Sequence, residues 1–144
     1  MCERDQMPAI AVPNLICYED LIASRDDDYA WPLLDEFAAS SLCYTSGTTG
    51  NPEGVLYSHR STLLHSMLAC MRDGMGICAG DMLYMAAPMF HVNAWGTPYA
   101  CALSGASMVL PGTALDLASI YNTMRDAAVT VGLGVPTVWM SLHR

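Results

Sequence analysis

The sequence predicts an α/β fold: a parallel βαβαβ sheet with flanking helices, preceded by a strand–loop–strand unit. Three observations predict it. Apolar runs of strand length alternate with helix-length amphipathic stretches over residues 82–144, the pattern of parallel strands joined by crossover helices. Residues 82–115 contain no Asp, Glu, Lys or Arg, as expected where strands and helices bury one another. Residues 44–55 hold three glycines, three threonines, a serine and a proline between two short β-prone runs, 42–44 and 55–57.

Residues 1–40 read as an approach segment, largely irregular, with Pro8, Pro13 and Pro32, a short apolar run at 15–18 and the acidic cluster Asp26-Asp27-Asp28. Residues 41–144 read as the body of the fold. Within it, 41–58 form strand, loop and strand. Ser58 is placed to cap the next helix. Leu63, Leu64, Met67, Leu68 and Met71 then make one apolar helical stripe, read as a structural helix that ends near Gly74 and Gly76. Residues 82–87 have strand length. Residues 94–103 read as a helix whose start is weakened by Gly96 and Pro98. Residues 107–110 are a second buried strand. Asp116 opens a helix with Leu117, Ile120, Tyr121 and Met124 on one face. Residues 129–133 are the third strand, and 136–143 begin a helix with proline in its first turn.

At 144 residues the chain is one domain or part of one. Charged residues are 14% and apolar residues 53%, against roughly 25% charged in ordinary globular proteins. That balance suggests a piece of the buried middle of something larger. A membrane span is not expected, because Pro88, His91, Asn93, Gly96, Pro98 and Gly105 interrupt the charge-free stretch. The net charge of −8 disfavours nucleic acid, which is bound by basic patches. No apolar segment follows the first residues as a signal peptide would require. The six cysteines show no C-x-x-C spacing and the four histidines no metal-ligand spacing. Reduced, mostly buried thiols in a cytoplasmic protein are therefore expected.

The loop at 44–55 carries the most specific chemistry. Its glycines let the backbone turn sharply and approach a ligand closely. Its N–H groups and hydroxyls can surround an anion as a nest of donors, so the expected ligand is a polyphosphate. A Walker-type loop is excluded, because it needs Gly-Lys-Ser/Thr and the chain has no lysine. Glu53 is out of place, since a phosphate loop should carry a cation there.

Tyr44-Thr45-Ser46-Gly47-Thr48-Thr49-Gly50-Asn51-Pro52-Glu53-Gly54-Val55 resembles the phosphate loop of the AMP-forming acyl-CoA synthetases, the adenylate-forming superfamily. That pattern reads Y-T-S-G-T-T-G-x-P-K-G-V, and the one departure is Glu53 in place of its lysine. The resemblance implies part of the large N-terminal domain of adenylate-forming enzymes, with the loop between its two strands as the phosphate loop. It implies that Thr45, Ser46, Gly47, Thr48, Thr49 and Gly50 contact the ATP triphosphate, and that Thr45 helps hold Mg²⁺. Glu53 has three readings: it repels the phosphates, it swings into solvent and contributes nothing, or it is a mutation or sequence error.

Two further segments carry the resemblance. Pro88-Met89-Phe90-His91-Val92-Asn93-Ala94-Trp95 is similar to a segment of medium- and long-chain fatty acyl-CoA synthetases that lies between nucleotide and acyl tunnel. This implies that His91 borders the carboxylate and adenylate and is the candidate catalytic residue. It implies that Trp95 is an aromatic gate to the tunnel. By residue type alone Trp95 reads as a core tryptophan, and His91 retains the alternative of a satisfied core histidine. Gly134-Val135-Pro136-Thr137 resembles the family's stretch beside the acyl pocket, at the carboxyl end of a strand, where ligands sit in parallel sheets. Its glycine reads equally as strand-to-helix punctuation.

The resemblance runs from about Tyr18 to the last residue. It implies ATP, Mg²⁺ and CoA as cofactors and a fatty acid or other carboxylate as substrate. Family members are several times longer, and the downstream Y-G-x-T-E glutamate and catalytic lysine have no counterpart here. The chain is therefore expected to be an internal fragment of a fatty acid–CoA ligase, inactive alone. A different class of function stays open: a non-catalytic fatty-acid-binding or interaction module, self-associating or docked on a full-length synthetase.

Overall fold

The computed structural model describes residues 7, 13–47, 50–112 and 114–143. The chain divides into two compact units, Met1–Leu34 and Asp35–Arg144. The first contains α1 (Tyr18–Ala23), closed at its end by the Ser24 hydroxyl, which donates to the Leu21 carbonyl at 2.9 Å. Tyr29 and Trp31 meet edge to face, with ring centroids 5.0 Å apart, a favoured aromatic geometry.

The second unit opens with an antiparallel pair, β1 (Ala39–Thr45) and β2 (Glu53–Ser58). Thr45 lies opposite Glu53 and Cys43 opposite Val55, so the Gly/Ser/Thr loop closes a hairpin. Ser58 then caps α2 (His59–Cys70) in a capping box: its hydroxyl accepts from the Ser61 N–H, and the Ser61 hydroxyl accepts from the Ser58 N–H.

The remaining strands, β3 (Met82–Met85), β4 (Ser107–Val109) and β5 (Val131–Leu133), form a parallel sheet in the order β4-β3-β5. A one-turn α3 (Val92–Trp95) and α4 (Thr97–Ser104) lead from β3 to β4. The next crossover is α5 (Leu117–Asp126), and α6 (Pro136–Leu142) follows β5. This is the βαβαβ order expected from the alternation of apolar runs. The central strand β3 is the most buried, with Leu83 and Tyr84 fully inaccessible. Ala69, Ile77, Ala87, Ala94, Ala100 and Cys101 complete the core around it. Among the described residues no helix is long and apolar enough to cross a membrane.

Three expectations need correction. The strand expected to be buried at 107–110 is the edge strand β4, with Ser107 and Met108 exposed and Val109 half-buried, because only its β3 side is covered in the sheet. The stretch 94–103 is not one helix, because the backbone changes hand at Gly96 (φ +69°). The apolar stripe of α2 is not its packed face. Ser66 and Ala69 are the buried residues of α2, while Leu63, Leu64, Met67, Leu68 and Met71 are 51–58% exposed. The physical reason is close helix approach: α2 packs on α4 through small residues, near enough for the Cys70 thiol to reach the Ala100 carbonyl at 3.5 Å. The bulky side chains project from the opposite face.

Asp81 fastens the sheet at the amino ends of its strands. One carboxylate oxygen accepts from the Cys78 N–H at 2.9 Å and the other from the Thr130 hydroxyl at 2.8 Å. The Thr130 oxygen in turn accepts from the Met82 N–H at 3.0 Å. These bonds, the Cys78 amide foremost, hold the Asp81 carboxyl below its ordinary value of 3.8. A depressed carboxyl contributes stability above the unfolded value and loses it as pH falls through the folded one. The melting temperature is therefore expected to drop below about pH 3.8, with a shallower drop in Asp81→Asn. Thermal melts from pH 6 downward check this, and identical slopes would contradict it.

Candidate functional site

The β1–β2 hairpin sets the loop. Gly47 has φ +63° and Gly50 φ +90°, left-handed backbone that favours glycine. At Gly47 the requirement is doubled, since a Cβ there would stand 2.3 Å from the Asn51 carbonyl oxygen. The Thr45 hydroxyl accepts from the Gly47 N–H at 3.3 Å. Thr45, Ser46 and Gly50 are exposed, and Gly50 has open space where a side chain would be. Thr48 and Thr49 lie outside the described residues. Gly47→Ala would add the carbonyl clash to a left-handed cost of ~1–2 kcal/mol. A lower melting temperature is expected from Gly47→Ala, and Gly50→Ala should lower it less.

Glu53 begins β2 beside this loop. Its Cγ lies 3.6 Å from where a Cβ at Gly47 would stand. The side chain thus runs along the glycine rather than away from it. Its carboxylate is exposed, and neither ion pair among the described residues, Arg60–Glu36 or Arg125–Asp126, includes it. Among the described residues no ion pair neutralises its charge.

The second motif leaves the carboxyl end of β3. His91 is exposed, which removes the core-histidine reading. Its carbonyl accepts from the Ala94 N–H at 3.0 Å. The next four residues, Val92, Asn93, Ala94 and Trp95, have φ values of +48°, +50°, +51° and +57°. They form one left-handed turn of α3, closed by the Gly96 N–H donating to the Val92 carbonyl at 3.2 Å. Left-handed helix costs roughly 1–2 kcal/mol per L-residue, so contacts from outside must hold it. Three do. The Asn93 amide nitrogen donates to the Ser41 hydroxyl at 2.7 Å, and its oxygen accepts from the Cys43 thiol at 3.1 Å. The Thr97 hydroxyl donates to the Ala94 carbonyl at 2.7 Å. His65 Nε2 donates to the Trp95 carbonyl at 2.9 Å, which fixes the proton on that nitrogen. Trp95 is half-buried against the core. Gly96 admits the His65 ring, whose Cδ2 would stand 2.5 Å from a Cβ there.

The third motif leaves the carboxyl end of β5, next to that of β3 in the sheet: Met85 pairs with Leu133. Val135 precedes α6, and Pro136 and Thr137 open it. A Cβ at Gly134 would meet Ala86 Cβ at 3.0 Å and the Trp139 ring at 3.1 Å, and one at Gly132 would meet that ring at 2.8 Å. The room these glycines leave is filled by the Trp139 indole, whose N–H donates to the Gly134 carbonyl at 3.1 Å.

A cavity of about 230 Å³ lies between α2 and the left-handed turn, bordered by Thr62, His65, Asn93, Gly96 and Tyr99. It adjoins the second motif without reaching His91, Trp95 or residues 134–137. His65, Asn93, Ser41 and Cys43 were not singled out from sequence. Asn93 had a signal, since asparagine tolerates left-handed backbone. The other three are joined to the motif only by the fold.

The geometry suits an oxyanion group: an open glycine hairpin with exposed hydroxyls at its mouth. No group of three His, Cys, Asp or Glu able to hold a metal occurs among the described residues. The described residues therefore fit the backbone and hydroxyl part of a triphosphate site, and Glu53 does not fit its charge.

Comparison with known proteins decides the family. The model of the AMP-binding enzyme family matches residues 5–144. The chain belongs to the AMP-binding enzymes. It is 56% identical over 142 residues to a medium-chain fatty acid–CoA ligase of Ectopseudomonas oleovorans, covering 99% of this chain and 26% of that one. It is 46% identical over 132 residues to a long-chain fatty acid–CoA ligase of Thermus thermophilus, covering 92% and 24%. ATP-bound MatB from Rhodopseudomonas palustris shares the fold, with a TM-score of 0.72 and 28% identity over 86% of this chain and 24% of that chain. The chain thus spans about a quarter of the length of the curated relatives it matches.

Proposed function

We propose that residues 41–144 are the phosphate-loop part of the adenylation domain of an ATP-dependent fatty acid–CoA ligase. In that reaction a carboxylate and ATP give acyl-AMP and pyrophosphate, and the acyl group then passes to the CoA thiol. Thr45, Ser46, Gly47, Thr48, Thr49 and Gly50 hold the β and γ phosphates, with Thr45 beside Mg²⁺. Such a loop acts by positioning and by donors aimed at the departing charge. His91 faces the carboxylate. Trp95, Gly134, Val135, Pro136 and Thr137 border the acyl chain. CoA is implied by the family, and no residue of this chain is assigned to it. A cytoplasmic setting is part of this reading, on the scattered cysteine spacing of the sequence.

The observation that carries the proposal is convergence. Strand β1 of the hairpin and the His91–Trp95 turn are tied directly through Asn93, and the third motif leaves the same carboxyl end of the sheet as the second. The 56% identity to a medium-chain ligase supports a fatty acid as substrate. A second reading, an interaction module, rests on the exposed Leu and Met face of α2.

The test pairs calorimetry with a coupled thioester assay. The chain is expected to bind MgATP weakly, to lose that binding in Gly47→Ala, and to make no acyl-CoA from fatty acids of C6 to C18. Thioester turnover dependent on Thr45 would replace the partial-domain reading. Absence of MgATP binding even in Glu53→Lys would remove the phosphate-loop reading.

A further inference from the structure

The left-handed turn Val92–Trp95 is not held by its own residue types. Of the four, asparagine alone tolerates that backbone readily. Valine, alanine and tryptophan are kept there by bonds from elsewhere: His65 on Trp95, Thr97 on Ala94, and the Asn93 side chain on β1. The Asn93 bonds alone among these reach the hairpin. Their partners, Ser41 and Cys43, are two residues apart and so face the same side of β1. The second of them lies two residues before Thr45, where the loop begins. Cys43 is buried and Ser41 half-buried, so water competes little for these bonds.

We propose that Asn93 is a positioning residue: it spans from the strand that runs into the Gly/Ser/Thr loop to the turn that carries Trp95, and so fixes where the indole stands relative to that loop. A displacement of β1 must then either break both Asn93 bonds or carry the turn with it. Both ends of the amide are used, donor to Ser41 and acceptor from Cys43, so the side chain has one orientation that satisfies the pair. Only the link to phosphate binding rests on the function proposed above; the clamp itself does not.

The test uses the whole 144-residue chain labelled with 5-fluorotryptophan and followed by fluorine NMR. The three tryptophans, 31, 95 and 139, give three resonances, and Trp95→Phe assigns one. Without ligand, Ser41→Ala and Asn93→Gly are each expected to shift or split the Trp95 resonance while the other two stay in place. The double variant should move it no further than Asn93→Gly alone. Glycine accepts the left-handed backbone, so Asn93→Gly removes the clamp without adding strain. Should Asn93→Gly collapse the dispersion of all three resonances, Ser41→Ala, which removes one hydroxyl from a strand, decides alone. A Trp95 resonance unmoved in Ser41→Ala overturns the proposal, as does an equal shift of all three resonances. In a second arm MgATP is added, with calorimetry to establish binding. The Trp95 resonance should respond in the parent chain and lose its response in Asn93→Gly. An equal response in both overturns transmission through Asn93. Failure of MgATP to bind any variant sinks the phosphate-loop reading and leaves the ligand-free result standing.

Discussion

Glu53→Lys is expected to tighten MgATP binding by about tenfold. The Glu53 side chain runs beside Gly47 in a loop that otherwise carries no charge. Two unit charges ~4 Å apart at an effective dielectric of ~20 interact by about 4 kcal/mol. The site is exposed, and exposed pairs deliver ~1 kcal/mol or less. The substitution removes one repulsion and adds one attraction, so ~1–2 kcal/mol remains, about tenfold in affinity. The gain should shrink as salt rises, because the site is exposed and the screening length falls from ~30 Å at ~0.01 M to ~8 Å at physiological ionic strength. Calorimetry at low and moderate salt measures both. Equal affinities of the two forms at both salts would show that residue 53 does not act on the phosphates.

The second large effect is self-association. Leu63, Leu64, Met67, Leu68 and Met71 are each more than half exposed on one face of α2. Fully burying such a side chain is worth about 1.5–3 kcal/mol, so covering what these five leave open offers ~1 kcal/mol apiece on each copy. Association itself costs an estimated 4–15 kcal/mol, which leaves a weak, concentration-dependent dimer. The net charge of −8 opposes it, and salt screens that opposition. Light scattering should show mass rising with concentration, more steeply at higher salt. Leu64→Glu together with Leu68→Glu, one turn apart and both exposed, should hold the chain monomeric. A parent chain that stays monomeric and binds no hydrophobic dye would contradict this.

Much of the fold was legible because local signals and global packing agree. Strand-length apolar runs became β3, β4 and β5. Ser58 and Asp116 cap the helices they precede. Residues 82–115 lack charge because they include the buried central strand and the core-facing α4. The illegible features are those set by distant residues. Periodicity marked the Leu and Met stripe of α2, but the buried face was decided by how closely α4 approaches. The left-handed turn could not be read from Val-Asn-Ala-Trp, since bonds from β1 and α2 impose it. Gly134 reads as punctuation or as part of a stretch beside an acyl pocket, and the Trp139 indole packs where its side chain would stand. α1 was hidden in a segment rich in proline and aspartate. At the candidate site, the motifs point to the loop and His91, while the bonds among Asn93, Ser41, Cys43 and His65 emerge only once the elements are packed together.

The central claim is that the hairpin between β1 and β2 receives polyphosphate. Amide mapping tests it most directly: the ¹⁵N-labelled chain is titrated with magnesium tripolyphosphate, in parent and Glu53→Lys forms. Shifts are predicted to concentrate at Thr45, Ser46, Gly47, Gly50 and Asn51, to grow in Glu53→Lys, and to vanish in Gly47→Ala. Shifts centred instead on the arginines of α2 or α5, or none in either form, would contradict the account.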